Sequence, residues 1–221
     1  MELNLGSVTL HYEQQGSGLP LLLLHGNGES SAIFDKAMPL LAERFTVYAI
    51  DSRGHGGSSP VSEYHYADMA QDVSDFIRLM QLDRPLVYGF SDGGIIALLL
   101  AIHHPEQVGG IIASGVNVRP NGLKLRWLLL FRLMYLFNRD PLFRLMLTEP
   151  DITDDQLRAI RCPAHIVAGS RDMLRQSHMR RIADLIPGGR YLLLDGETHG
   201  SYIVHSEKIA RIILDCTENR T

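Results

Sequence analysis

The chain has 221 residues, a hydrophobic content of 45% and a formal net charge of −4. This length supports one sizeable core and is short for two domains. The Lys and Arg residues are scattered, so the charge pattern predicts no nucleic-acid partner. No apolar run reaches the ~20 residues that a membrane-spanning helix needs.

The N-terminal segment MELNLGSVTLHYEQQG alternates apolar and polar side chains. It lacks the basic block and the apolar block of a secretory signal, so we expect a cytoplasmic protein. Cys162 and Cys216 are expected to be thiols, because disulfides are rare in proteins that stay in a reducing compartment.

Short apolar runs recur along the chain and predict strands that are buried on both faces of a parallel sheet. Residues 2–15 predict a leading antiparallel hairpin, because an alternating segment lies between glycine turns. Helical periodicity appears between the runs, most clearly over 69–80. The alternation predicts an α/β fold with a mostly parallel central sheet and helices on both faces. The predicted strands are 10–15, 20–25, 46–51, 85–90, 108–114, 164–169 and 191–195, and the other predicted helices are 92–104, 175–186 and 201–215.

Residues 117–160 break this alternation, since they contain no clear strand and lie between two predicted strands. They include LKLRWLLLFRLMYLF at 123–137, which is apolar nearly all round. We expect a helical insertion over the carboxyl edge of the sheet, where open α/β sheets bind ligands. Three roles stay open for 123–137: a cap packed on the site, the lining of a pocket for an apolar group, or contact with a membrane surface through Trp127, Phe131 and Tyr135.

One short stretch, Gly89-Phe90-Ser91-Asp92-Gly93, has the pattern G-x-S-x-G between a predicted strand and a predicted helix. A nucleophile on such a sharp turn has a strained backbone and needs small neighbours, which explains the two outer glycines. The helix N-terminus beside the serine also offers backbone N–H groups. The pattern alone arises by chance in many proteins, so a glycine-rich turn with a solvated serine is the alternative.

A serine hydroxyl needs a neighbouring base to become nucleophilic, and the base needs an orienting group. Asp172 follows one predicted strand, and His199 lies in a loop after the next one. We expect both side chains at the same sheet edge as Ser91, in the chain order Ser, Asp, His. Asp195 and Glu197 are competing acids, because they also lie near His199.

Together these motifs resemble the α/β-hydrolase family over residues 8 to 215. The resemblance implies the α/β-hydrolase fold in a single domain of residues 1–221, with a triad at the carboxyl edge of the sheet. It also implies a short helical cap after the sixth strand, here at about 117–160. The motifs are LLLHGNGES at 22–30, DSRGHGGSS at 51–59, GFSDGG at 89–94, the loop around Asp172, and THG at 198–200.

The resemblance implies specific roles for five residues. Ser91 is the nucleophile, His199 the base and Asp172 the acid that orients it. The backbone N–H groups of Asn27 and Asp92 form an oxyanion hole, which stabilises the charge on a tetrahedral intermediate.

Residues near the predicted oxyanion loop have structural roles in this interpretation. His25 could be mistaken for a catalytic base, but His199 has the better position. Asp51 and Arg53 lie in a segment that supports the loop in related hydrolases, and a buried ion pair is expected there.

The sequence gives only weak support for two other kinds of ligand site, one for a dinucleotide and one for a metal ion. Residues 26–31 with Asp51 imitate a dinucleotide fingerprint, but Ser31 occupies the position of the third glycine. His103 and His104 are adjacent on a predicted helix, point in different directions and lack a third ligand. We therefore expect no cofactor and no metal.

The expected reaction is hydrolysis of a carboxylic ester, or of a lactone or thioester, with a small acyl substrate and an acyl-enzyme. Haloalkane dehalogenases and epoxide hydrolases of this fold have Asp at the position of Ser91, so both reactions are disfavoured. C–C bond hydrolysis, acyl transfer and perhydrolysis stay open, as do a non-catalytic ligand-binding relative and a membrane-associated lipase-like enzyme.

Only 80 positions separate Ser91 from Asp172, so we expect a reduced cap and a preference for short acyl esters. The partner that we expect is a small ester-like molecule, and we expect neither a nucleic-acid partner nor membrane contact; the sequence leaves the oligomeric state open.

Overall fold

A computed structural model describes residues 1–218 of the chain. Its strands form one eight-stranded sheet. They are β1 (Glu2–Asn4), β2 (Thr9–Gln15), β3 (Leu19–Leu24), β4 (Phe45–Ile50), β5 (Leu86–Phe90), β6 (Gly110–Ser114), β7 (Ala164–Gly169) and β8 (Arg190–Leu194).

The spatial order of the strands is β1-β2-β4-β3-β5-β6-β7-β8. β2 pairs antiparallel with both β1 and β4, and every other neighbouring pair is parallel. This arrangement confirms the predicted hairpin and the mostly parallel sheet.

Helices cover both faces of the sheet. The helices are α1 (Met38–Leu41), α2 (Tyr66–Leu79), α3 (Asp92–His103), α4 (Leu125–Asn138), α5 (Pro141–Thr148), α6 (Asp154–Ala159), α7 (Gln176–Leu185) and α8 (Lys208–Glu218).

The central strand β3 shows why the sheet holds two separate cores. Successive side chains of a strand point to opposite faces. Leu22 and Leu24 pack in the core shared with α2, α3 and α7, whereas Leu21 and Leu23 pack in the core shared with α1 and α8. All four side chains are fully buried, and each contributes about 1.5–3 kcal/mol of hydrophobic stabilisation.

The helix that was predicted over 201–215 begins later than expected. Residues 201–205 form turns, and α8 starts only at Lys208. His205 has a φ of 51°, which no α-helix accommodates, and its N–H donates to the carbonyl of Ile33 at 2.8 Å. The prediction was therefore wrong for the first part of this segment.

Helices α4, α5 and α6 occupy the insertion between β6 and β7. On α4 the half-buried side chains are Trp127, Leu128, Phe131 and Tyr135, which recur on one face that points toward the protein body. The three aromatic residues suggested for membrane contact therefore point inward, so that version of the membrane hypothesis was wrong. None of the described helices is long and apolar enough to cross a membrane.

The division of the chain into one domain over 1–221, with a cap at about 117–160, stays a prediction. Residues 219–221 of that range lie outside the described residues. Cys162 and Cys216 are both buried as thiols.

Candidate active site

The loops at the carboxyl ends of five neighbouring parallel strands lie together at one edge of the sheet. His25 follows β3, Ser91 follows β5 and Gly115 follows β6. Asp172 and His199 lie in the loops after β7 and β8. Since neighbouring parallel strands end at one edge, residues far apart in sequence meet there.

The turn between β5 and α3 holds Ser91 in an unusual conformation. Its φ is 52° and its ψ is −111°, outside the backbone regions that residues other than glycine ordinarily adopt. A Cβ atom on Gly89 would lie 2.0 Å from the carbonyl oxygen of Gly93, and one on Gly93 would lie 2.2 Å from that of Leu24. The two outer glycines of the motif are therefore required by close backbone packing.

A chain of hydrogen bonds links Ser91, His199 and Asp172. His199 Nε2 lies 3.1 Å from Ser91 Oγ, and His199 Nδ1 lies 2.9 Å from Asp172 Oδ1. Asp172 is fully buried, and the same oxygen accepts the N–H of Leu174 at 2.9 Å. An ionised Asp172 accepts the proton on Nδ1, which leaves Nε2 as an acceptor for the serine proton.

The two competing acids have other partners. Asp195 accepts from the hydroxyl of Ser170 at 3.2 Å. Glu197 accepts from Lys208 Nζ at 2.6 Å, and this ion pair lowers the pKa of its carboxyl. Of the three acids considered for His199, the structure brings Asp172 to the ring.

Two backbone N–H groups near Ser91 have no hydrogen-bond partner within residues 1–218. They belong to Asn27 and Asp92, the residues named for the oxyanion hole. The N–H groups on either side of Asn27 are occupied, because Gly26 and Gly28 donate to neighbouring side chains at 3.0 and 3.2 Å. Backbone donors that the protein itself leaves unused are suited to an anionic oxygen.

The side chains of Asn27 and Asp92 are also bonded to each other. Asn27 Nδ2 donates to Asp92 Oδ2 at 2.9 Å, and the hydroxyl of Tyr66 donates to Asp92 Oδ1 at 2.8 Å. Burial raises the pKa of Asp92, while these two hydrogen bonds act in the opposite direction. The buried carboxylate thus joins the loop after β3 to the first turn of α3.

His25 has both ring nitrogens engaged in the loop. Nδ1 donates to the carbonyl of Gly26 at 2.8 Å, and Nε2 accepts the N–H of Ser52 at 3.0 Å. Burial lowers the pKa of His25 to about 4, so the ring is neutral at pH 7. A ring used in this way supports the backbone of the loop that follows β3.

The expected ion pair between Asp51 and Arg53 is absent from the described residues. Asp51 accepts the backbone N–H groups of Ser31 at 2.6 Å and Gly57 at 2.8 Å. Arg53 instead binds Asp72 on α2 through two contacts at 2.6 and 2.7 Å. The prediction of this pairing was wrong because two backbone N–H groups and His11 Nδ1, at 3.0 Å, already surround Asp51, while α2 places the carboxylate of Asp72 beside the guanidinium.

A cavity of about 30 Å³ lies beside Ser91 and His199, with Phe131 of α4 and Met146 of α5 in its wall. Glu149 also lines it and accepts the N–H of Tyr66 at 3.1 Å. The described lining residues include no Lys or Arg. The sequence pointed only to the insertion as a source of wall residues. The other lining residues, which it did not identify, are Tyr66, Asn117, Leu123, Met173 and Leu174.

Gly115 is a further site residue that the motifs did not reveal. Its φ is 57°, and a Cβ atom there would lie 2.8 Å from His199 Cε1. Only glycine leaves space for the imidazole at this position. The one signal in the sequence is its place immediately after a predicted strand.

No group of three or more His, Cys, Asp or Glu side chains in the described part of the chain could hold a metal ion.

Comparison with known proteins identifies the family. The sequence pattern of the alpha/beta hydrolase fold family matches residues 20–140, more than half of the chain. The chain belongs to the α/β-hydrolase family, as its motifs predicted.

Curated relatives match only part of their own length. A 2-(acetamidomethylene)succinate hydrolase from Mesorhizobium japonicum is 34% identical over 50% of this chain and 40% of its own. A fluoroacetate dehalogenase from Burkholderia sp. is 36% identical over 48% of this chain and 36% of its own. The chain therefore spans well under two thirds of these relatives.

Solved structures give the same fold over nearly the whole chain. The enol-lactonase from Burkholderia xenovorans LB400 superposes with a TM-score of 0.82 at 18% identity, covering 99% of this chain and 100% of that one. Est816, described as an N-acyl homoserine lactone degrading enzyme, gives 0.81 at 20% identity, covering all of both chains. At these identities the likeness establishes the α/β-hydrolase fold alone.

Proposed function

We propose that the chain is a serine hydrolase that cleaves carboxylic esters, or lactones and thioesters, of small acyl substrates. The observation that carries the proposal is the continuous hydrogen-bond chain from Asp172 through His199 to Ser91. A buried acid, an imidazole and a hydroxyl in this order provide a nucleophile and its base.

In this mechanism Ser91 Oγ attacks the carbonyl carbon, and its proton passes to His199 Nε2. Asp172 stabilises the resulting imidazolium. The carbonyl oxygen becomes an oxyanion and accepts the N–H groups of Asn27 and Asp92. The C–O bond to the leaving alcohol then breaks, and His199 returns the proton to that alcohol. A water molecule repeats the sequence on the acyl-enzyme and restores the serine.

The hydroxyl nucleophile favours acyl chemistry over displacement at an alkyl carbon. If Ser91 displaced a halide or opened an epoxide, the product would be an ether, with no carbonyl for water to attack. An acylated serine is an ester, which the same base and oxyanion donors can hydrolyse. Dehalogenation, the reaction for which one relative is named, is therefore disfavoured for this chain.

The cavity favours uncharged substrates. Glu149 and Asp92 both line it, and Lys124 Nζ is held at the backbone carbonyl of Asp172, 2.5 Å away. A carboxylate on the substrate would lie near two carboxyl groups with no lining cation to pair with it. Two relatives are named for acids, a 2-(acetamidomethylene)succinate and a hexa-2,4-dienoic acid. The charge of the lining residues therefore favours a neutral short ester or lactone over these acids.

The test compares Ser91→Ala with Ser170→Ala, which alters a half-buried serine outside the hydrogen-bond chain. On p-nitrophenyl butyrate we expect S91A to lose kcat by about 10³-fold or more, and S170A to retain activity. A fluorophosphonate probe should label the wild type at Ser91 and leave S91A unlabelled. Full activity in S91A would contradict the mechanism, and an unlabelled, inactive wild type would favour a non-catalytic ligand-binding protein.

A further inference from the structure

The outer face of α4 carries an apolar surface that no described residue covers. Leu125, Leu129, Leu133 and Leu136 are 51–61% exposed, and Phe137 is 83% exposed. Surface helices normally present polar side chains to water. A row of large apolar side chains along a helix of 14 residues indicates a binding surface.

The cavity does not explain these residues, because a different face of α4 lines it. Trp127, Leu128, Phe131 and Tyr135 are half-buried on the inner face, and Phe131 reaches the cavity. Helix α4 therefore packs against the protein body with one set of side chains and presents a second set to solvent.

Positive charge surrounds the outer face, although the whole chain has a net charge of −4. α4 contains no Asp or Glu. The one acid between positions 123 and 148 is Asp140, whose carboxylate accepts the N–H of Leu142 at the start of α5. Lys124 is held at the carbonyl of Asp172, and within the described chain no ion pair involves the other four cations of this segment, which are Arg126, Arg132, Arg139 and Arg144.

We propose that the outer face of α4 binds the surface of an anionic phospholipid bilayer. The leucines and Phe137 enter the boundary between head groups and acyl chains, and the guanidinium groups pair with lipid phosphates. The helix is about 21 Å long, and it lies in the plane of the interface. An anionic bilayer would bind both the apolar side chains and the positive charge of this surface.

A second copy of the chain fits the same surface less well. A two-fold contact through α4 would bring the arginines of both copies together. Since α4 has no acid to neutralise them, the repulsion would oppose the apolar contact. Zwitterionic lipid would use the apolar face, but its head groups carry no net charge and would attract the arginines less than an anionic surface does.

The test is flotation of the full chain with vesicles of phosphatidylcholine and with vesicles of an equimolar mixture of phosphatidylcholine and phosphatidylglycerol. We expect binding to the mixture, weak binding to phosphatidylcholine alone, and release as salt is added. R126Q/R132Q should lower the partition coefficient about thirtyfold, since each cation contributes ~1 kcal/mol. L129Q/L133Q should lower it by about tenfold or more.

Matched variants separate this surface from general effects. R78Q/R211Q removes the same charge from α2 and α8, and L19Q changes a leucine that is 74% exposed at the start of β3. Both should bind as the wild type does, and thermal melting should show that all variants fold. Vesicle binding does not depend on catalysis, so its failure is distinguishable from failure of the proposed function.

Three results would overturn the proposal. They are no flotation with the anionic mixture, equal binding to both kinds of vesicle, and a dimer in light scattering that L129Q/L133Q converts to monomer without changing vesicle binding.

Discussion

Removal of the Asp92 side chain tests whether the proposed oxyanion donors are held by a carboxylate clamp. In the wild type this carboxylate accepts from Asn27 at 2.9 Å and from Tyr66 at 2.8 Å. Asp92→Ala disconnects the loop that carries the N–H of Asn27 from α3. Asp92→Asn keeps the shape, because its amide oxygen can accept from Asn27 while its NH₂ group donates to the tyrosine oxygen.

The size of the effect follows from what each variant loses. Complete loss of one oxyanion donor costs about 2.7–4 kcal/mol. D92A leaves both N–H groups in the protein but frees one of them to move, so we expect about half that cost. This corresponds to a fall in kcat of about 10–30-fold. KM should change little, because the donors act mainly on the oxyanion of the transition state.

The assay is steady-state hydrolysis of p-nitrophenyl butyrate by wild type, D92A, D92N and Y66F. D92N should stay within about fivefold of the wild-type kcat, and Y66F breaks the second hydrogen bond without touching Asn27. An unchanged kcat in D92A, or a rise in KM at constant kcat, would refute the clamp.

Thermal melting gives a second measurement on the same variants. Burial raises the pKa of Asp92, so ionising it costs folding free energy once the pH exceeds its pKa in the unfolded chain. D92N avoids that cost, and its Tm should exceed the wild-type value near neutral pH. The difference should shrink as the pH falls toward the ordinary carboxyl range.

Three further predictions concern the cavity, the imidazole and the oxyanion loop. Because carboxyl groups line the cavity, p-nitrophenyl butyrate should be hydrolysed with a kcat/KM about tenfold or more above that of the p-nitrophenyl hemisuccinate anion; equal values would contradict the charge argument. Gly115→Ala should lower kcat about tenfold or more, since its Cβ would lie 2.8 Å from His199, whereas Gly188→Ala, with positive φ and open space around it, should lose only about 1 kcal/mol of stability. Equal kcat losses in the two glycine variants would show that contact between the new Cβ at position 115 and His199 is not the cause. Burial lowers the pKa of His25 from 6.5 to about 4, so the free energy of unfolding should fall by about 3 kcal/mol as the pH drops through that interval. Urea titrations should show this slope in the wild type and a flatter one in His25→Asn, and an identical slope in both would assign it to other groups.

The apolar runs predicted the central strands well because these strands are buried on both faces. Leu21 and Leu22 are fully buried on opposite sides of the sheet, so a continuous run is what the environment requires. The start of α8 could not be predicted in the same way. His205 takes its left-handed conformation together with a backbone contact to Ile33, far away in sequence. Such a contact overrides local helix propensity and leaves no periodic signal.

The motifs predicted which residues would gather at the sheet edge, because strand ends are readable from the sequence. They did not predict how the gathered residues bond to one another. Arg53 lies two positions from Asp51, yet its partner is Asp72 on α2. Likewise, the bond between Tyr66 and Asp92 joins two helices that the sequence treats separately. These pairings depend on side-chain directions in three dimensions, which spacing along the chain does not encode.

The apolar character of α4 all round its axis has two causes that the sequence could not separate, and a substitution on each face tests this. Phe131→Ala enlarges the cavity, so the ratio of kcat/KM for p-nitrophenyl hexanoate over acetate should rise while vesicle binding stays unchanged. L129Q/L133Q on the outer face should weaken vesicle binding and leave that ratio as it is. If F131A altered vesicle binding, or if the leucine variant altered acyl selectivity, the two faces would be coupled through a movement of the helix. A helix that stays in place predicts the first pair of results, because Phe131 lines the cavity, whereas Leu129 and Leu133 do not line it and are about half exposed.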